Sequence, residues 1–137
     1  MKASAQVKYK GHPLPASCPP QGASITSNST YLRLVPASKV TADDFKSGDA
    51  LGRKKPSHVD ECTWKACSVF VDTTPRHKLA DLTKLPNLNH MKFVAHLSVD
   101  KSAGMVKPHA RDPEHISFWM YASYEPEKAV IKIEPLS

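Results

Sequence analysis

Two copies of one short pattern hold the residues best suited to chemistry: His96-Leu97-Ser98-Val99 and His115-Ile116-Ser117-Phe118. An imidazole titrates near neutral pH, so two brought to one substrate can act as base and acid, with hydroxyls beside them to hold the reacting group. Both segments read as β-strands, in which side chains alternate, so each histidine shares a face with the serine two residues on. Phe93, Ala95, Leu97 and Val99 line the other face of the first strand, and Ile116, Phe118 and Met120 that of the second. If the two strands pair antiparallel with these core faces together, His96, Ser98, His115 and Ser117 meet on the opposite surface, beside Trp119 and Tyr121.

These eight residues resemble the motif of the 2H phosphoesterases, in which two copies of His-apolar-Ser/Thr-apolar supply a general base, a general acid and hydroxyls that hold a phosphodiester. In that family the copies lie in two similar lobes, whereas nineteen positions separate the histidines here. The resemblance implies a phosphoester- or nucleotide-processing enzyme with His96, Ser98, His115 and Ser117 as its catalytic set. Between the strands, Lys107-Pro108-His109-Ala110-Arg111-Asp112-Pro113-Glu114 reads as a long loop over the same end of the sheet. Lys107 and Arg111 could there hold an anionic group and His109 could carry a proton, although Asp112 and Glu114 can neutralise Arg111 locally. With Trp119 and Tyr121 they make up the substrate-binding candidates.

Positioning such a site requires a folded domain, and the 137 residues suffice for one, with 40% apolar and 23% charged. The expected class is α+β, a mainly antiparallel sheet with two short helices and an irregular N-terminal arm. Strands are expected at Thr30–Val35, Ala66–Val71, Met91–Val99, His115–Tyr121 and Val130–Ile133. One helix is expected after a Thr41 cap, stopped at Gly48, and another with Pro75 at its first position behind a Thr74 cap. Residues 1–29 hold four prolines and no acidic residue, and read as a flexible or docked basic arm, dispensable for folding of a single domain over 30–137. The longest uncharged apolar run, near Ile116 to Tyr124, falls far short of the ~20 residues that span a bilayer, so no membrane association is expected.

The charge pattern offers a competing function. Of the net +6, nearly all lies in residues 1–60, where nine Lys/Arg face four acids, against ten and nine in residues 61–137. A basic arm and the loop cations Arg53, Lys54 and Lys55 can attract a polyanion by counterion release. The leading expectation is thus a small basic binding or accessory protein contacting nucleic acid or an acidic protein surface. The paired-histidine enzyme is the alternative, followed by a protein-interaction domain whose basic charge is incidental. Trp64, Trp119, Tyr121 and Tyr124 could stack on bases.

No cofactor and no metal is expected. His58, Asp60, Cys62, Cys67 and His77 include zinc-ligand types, but Cys62 has no second cysteine pair and Cys67 sits in an apolar strand. Three cysteines, Cys18, Cys62 and Cys67, cannot all pair within one chain, and with no apolar segment behind Met1 that suits a signal peptide, reduced thiols and a cytoplasmic setting are expected. Composition leaves the oligomeric state open.

Overall fold

Short runs of β-branched and aromatic residues in alternation dictate an extended chain, and the computed structural model, which describes residues 8–136, is dominated by strands. In chain order the strands and α-helices are β1 (Ser24–Ile25), β2 (Ser29–Val35), α1 (Glu61–Trp64), β3 (Cys67–Val71), α2 (Arg76–Leu82), β4 (Phe93–Val99), β5 (Gly104–His109), β6 (Asp112–Met120) and β7 (Val130–Pro135). The strands form one antiparallel sheet of seven in the order β1-β5-β6-β3-β2-β4-β7. Among the described residues no helix is long and apolar enough to cross a membrane.

The order corrects one expectation directly. The histidine-bearing strands β4 and β6 do not pair, because β2 and β3 stand between them. The reason lies in β2, whose Leu32 and Leu34 on one face and Val35 on the other are all buried, which suits a central strand covered on both sides. The edge of β6 away from β3 is meanwhile taken by β5.

That pairing corrects a second expectation, since Lys107–Glu114 is no long loop but the closing end of a β5–β6 hairpin turning at Ala110 and Arg111. Two prolines concealed the strands. β1 pairs only with Met105 and Val106 of β5, and β3 reaches β6 only from His115 onward, so Pro108 and Pro113 each fall where the strand has a neighbour on one side. A missing N–H is harmless there.

The helices are shorter than the sequence suggests. The segment after Thr41 is one 3₁₀ turn, Ala42–Phe45, with the Thr41 N–H donating to the Asp44 carboxylate at 2.9 Å. α2 starts one residue after Pro75, because the Thr74 hydroxyl donates back to the Val71 carbonyl at 2.7 Å instead of capping the helix. α1 is a single turn capped by Asp60, which accepts from the Thr63 N–H at 3.2 Å and its hydroxyl at 2.6 Å.

Each sheet face has its own core. Val35, Cys67, Val69, Ala95, Leu97, Val99, Ile116, Phe118 and Met120 gather on one, with Phe45 packed over them. On the other, Leu32, Leu34, Phe70 and Val94 are covered by Leu79 of α2. Burying a leucine fully contributes roughly 1.5–3 kcal/mol, so Leu79 anchors α2 across the middle of that face.

The N-terminal segment from Lys8 onward runs beside the end of β6. Lys10 N–H donates to the Met120 carbonyl at 3.0 Å, the Ala122 N–H donates to that of Lys8 at 2.8 Å, and Tyr9 packs on Tyr121 with ring centres 5.4 Å apart. A disulfide joins Cys18 to Cys62, which overturns the expectation of reduced thiols for these two. The odd count is accounted for by Cys67, the first residue of β3, which is free and buried in the larger core.

Candidate functional site

Register places the histidines. His96 faces Leu32, Leu32 faces Phe70, and Phe70 faces His115, so the four lie in one row on one sheet face. Three steps of roughly 4.8 Å separate the two backbone positions by about 14 Å, and the intervening Leu32 and Phe70 are buried. A donor and acceptor serving one substrate need contact through at most one water, so the geometry does not bring His96 and His115 to a shared reacting atom.

Each histidine instead has local partners. His96 Nε2 lies 2.7 Å from the Glu134 carboxylate of β7, which also accepts from Arg76 Nε of α2 at 2.9 Å. These hydrogen bonds, from Arg76 first and His96 second, hold the Glu134 carboxyl well down, at about 2. Ser98 is exposed at the far end of β4, and its carbonyl accepts from the Tyr124 hydroxyl at 3.0 Å.

His115 belongs to a tighter cluster that the hairpin creates. The His109 and His115 rings stack with centres 3.9 Å apart and planes 5° from parallel, and Phe70 stacks on the outer side of His115 at 4.9 Å. The Ser117 hydroxyl is 3.0 Å from His109 Nε2, and the Ser68 hydroxyl is hydrogen-bonded to His115 Nε2. Burial, with the nearby His109 second, pushes His115 down to about 4, so its imidazole is neutral at physiological pH. Beside the stack, Lys78 of α2 bonds Asp112 at 2.8 Å and Glu114 at 2.6 Å, and the pairing lowers the Asp112 carboxyl while raising the Lys78 ammonium.

The structure therefore unites His109, His115 and Ser117, adds Ser68 and Lys78, and leaves His96 and Ser98 elsewhere. Ser68 was legible in principle, since it alternates with the apolar Cys67 and Val69 and so shares a face with Phe70. Lys107 pairs in register with Ser117, half-buried, and Arg111 is exposed at the hairpin tip. Trp119 is buried and donates its indole N–H to the Cys62 carbonyl at 2.9 Å, while Tyr121 is half-buried against Tyr9. Of the loop cations, Arg53 and Lys54 are exposed, whereas Lys55 is half-buried and donates to the carbonyls of Pro56 and Val59.

No group of three or more His, Cys, Asp and Glu side chains among the described residues is placed to hold a metal. Cys62, one of the zinc-type candidates, is consumed by its disulfide.

On the opposite sheet face a cavity of about 230 Å³ opens between the 3₁₀ turn and the N-terminal segment. Its buried walls are Phe45, Cys67, Phe118 and Met120 with the Lys65 side chain, and its rim carries Lys10, Lys46 and Glu127. Lys65 is held by Asp49 at 3.0 Å, and Lys46 pairs with the exposed Asp43 at 2.7 Å. Burial raises the Cys67 thiol, keeping it protonated and inert as a nucleophile. No protein family, curated protein or solved structure matches the chain, so the function must be read from these two sites and the surface charge.

Proposed function

We propose that this is a non-enzymatic binding protein that receives an acidic protein segment on the basic surface of its first sixty residues. The observation that carries this reading is where the ion pairs fall. In residues 61–137 six of the ten Lys and Arg, namely Lys65, Arg76, Lys78, Lys84, Lys128 and Lys132, meet a carboxylate, and Lys92, Lys101, Lys107 and Arg111 meet none among the described residues. In the first half, among the described residues, Lys46 is so paired, while Lys10, Lys39, Arg53 and Lys54 are exposed cations with no carboxylate partner. Unmatched charge on one part of a surface steers an oppositely charged partner. A protein is favoured over a nucleic acid because Trp119 is buried and Tyr121 is packed on Tyr9, which removes two of the aromatic rings that base stacking would use. The Cys18–Cys62 disulfide supports an oxidising compartment in place of the cytoplasm.

Polyglutamate binding followed across a salt series tests the reading. Arg53→Glu with Lys54→Glu should weaken binding at least tenfold and flatten its dependence on salt. An unchanged salt dependence in the double variant, or tighter binding of a single-stranded oligonucleotide than of polyglutamate, would displace this reading.

One observation favours a second reading, acid–base chemistry on a phosphoester. A neutral His115 stacked on His109, with two serine hydroxyls on their Nε2 atoms, is an imidazole pair of the kind such chemistry uses, displaced from His96/His115 to His109/His115. If it operates, His109→Ala and His115→Ala each lower hydrolysis of an activated phosphodiester by about 10²-fold, and His96→Ala leaves it unaltered. No hydrolysis by the wild-type chain removes the reading.

A further inference from the structure

β7 ends the sheet, and no described residue pairs with its outer side. Leu136 donates its N–H inward, to the Lys92 carbonyl at 3.0 Å. Backbone polar groups alternate along a strand, so those of Glu134 and Lys132 also turn to β4, while Ile133 and Pro135 turn theirs outward. A proline suits such an outward position, where no ladder bond is lost. Ile133 is left with an N–H and a carbonyl facing solvent, two residues from an Ile131 side chain that is 65% exposed. An open edge of this kind is a template for another strand.

Charge decides which strand fits. β7 reads Val130-Ile131-Lys132-Ile133-Glu134-Pro135, and a second copy laid antiparallel about a two-fold axis at Ile133 sets each Lys132 opposite the partner's Glu134 and each Ile131 opposite the partner's Pro135. An axis at Lys132 would set two ammonium groups face to face, an axis at Glu134 two carboxylates, and the registers between them would set apolar side chains against charged ones. Only the Ile133 register is self-complementary. Glu134 is already fixed for it, by Arg76 Nε at 2.9 Å and His96 Nε2 at 2.7 Å, whereas Lys132 is 63% exposed and reaches its own Glu134 only at 3.5 Å. Lysine, proline and a bulge ordinarily guard an edge. Here the lysine gains a carboxylate, the missing Pro135 N–H falls at the end of the ladder, and the bulge at Ile131 confines pairing to a short stretch. We propose that the β7 edge is an interface between two copies of this chain, paired antiparallel about Ile133 so that one sheet runs through both.

Sedimentation velocity of the full chain from low to high micromolar concentration, with residue-resolved amide exchange at both ends of that range, tests the interface. A ladder this short predicts a weak, reversible dimer that forms in the micromolar range. The Ile133 amide should exchange at least tenfold more slowly in the dimer than in the monomer, a larger change than at Glu134, whose N–H is bonded to β4 in either state. Lys132→Glu and Ile131→Asp, both at exposed side chains, should each weaken dimerisation at least tenfold while the dilute variants melt within a few degrees of wild type, and Lys132→Arg should preserve it. A chain that stays monomeric at half-millimolar concentration, a dimer whose affinity neither charge-altering variant changes, or a dimer in which the Ile133 amide exchanges as fast as in the monomer overturns the proposal. Polyglutamate binding depends on Arg53 and Lys54, outside this strand, so the two proposals fail separately.

Discussion

His115 is held where adding a proton is unfavourable, between Phe70 and a second imidazole, with its Nε2 on the Ser68 hydroxyl. Its pKa falls from the ordinary 6.5 to about 4 in the fold. In the unfolded chain the ring gains its proton as pH drops through 6.5, whereas the folded protein resists until about 4. The unfolded state thus binds more protons across that interval, and stability declines as pH falls from 6.5 to 4. After discounting for partial exposure the loss should be roughly 2 kcal/mol, and denaturant melts across this pH range should show it in the wild type and not in His115→Gln. Glu134, held at about 2 by Arg76 and His96, works lower on the scale. Its contribution is present above the ordinary 4.5 and is lost as pH falls from there toward 2. At this scale the sequence was half legible. Alternation alone puts His96 and His115 on one sheet face, as the register has them, but which strand lies beside which is decided by distant segments, so the partner of His115 could not be read from its own strand.

Elements were legible where one periodicity ran undisturbed. β2, β3, β4 and β7 match the expected segments to within two residues at each end, because their apolar alternation is not interrupted. β5 escaped, since Gly104, Pro108 and a polar Lys107 break the pattern in six residues. Gly104 is needed there nonetheless, because a Cβ would run into the Trp119 carbonyl of the adjoining strand. β1 is only two residues long and has meaning only against β5. α1 passed unread because one helical turn leaves no period to detect, and its signal is the Asp60 cap. The same hairpin that was unreadable is what delivers His109 onto His115, so missing β5 also meant missing the real imidazole pair.

For the molecule as a whole, the segment before Thr30 is more than an appendage. It supplies β1, the Tyr9–Tyr121 contact and one half of the disulfide that spans 44 positions. Closing a loop of that length restricts the unfolded chain by roughly 4 kcal/mol in the chain-entropy account, and native bridges typically contribute 2–4. Deleting residues 1–29 should therefore lower the melting temperature by more than ~8 °C, in place of the small effect that the segment's composition suggests. A Cys18→Ser chain of full length should reproduce most of that drop, and calorimetry of the two variants separates the bridge from the strand contacts. If both melt within a few degrees of wild type, the segment contributes little.

The strand order has a kinetic consequence. β2 joins β3 and β4 at the centre of the sheet, but Ser24 of β1 meets Val106 of β5 across more than eighty intervening positions. Every ladder but the β5–β6 hairpin joins segments far apart in the chain, and such closures cost entropy before any contact offsets them. Assembly should be slow for a chain this short, milliseconds to seconds, starting from the hairpin and the central strands and fastening the β1 edge late. Amide protons at Ser24 and Ile25 should then exchange through small local openings, while those of Leu32 and Val94 wait for the whole sheet to come apart.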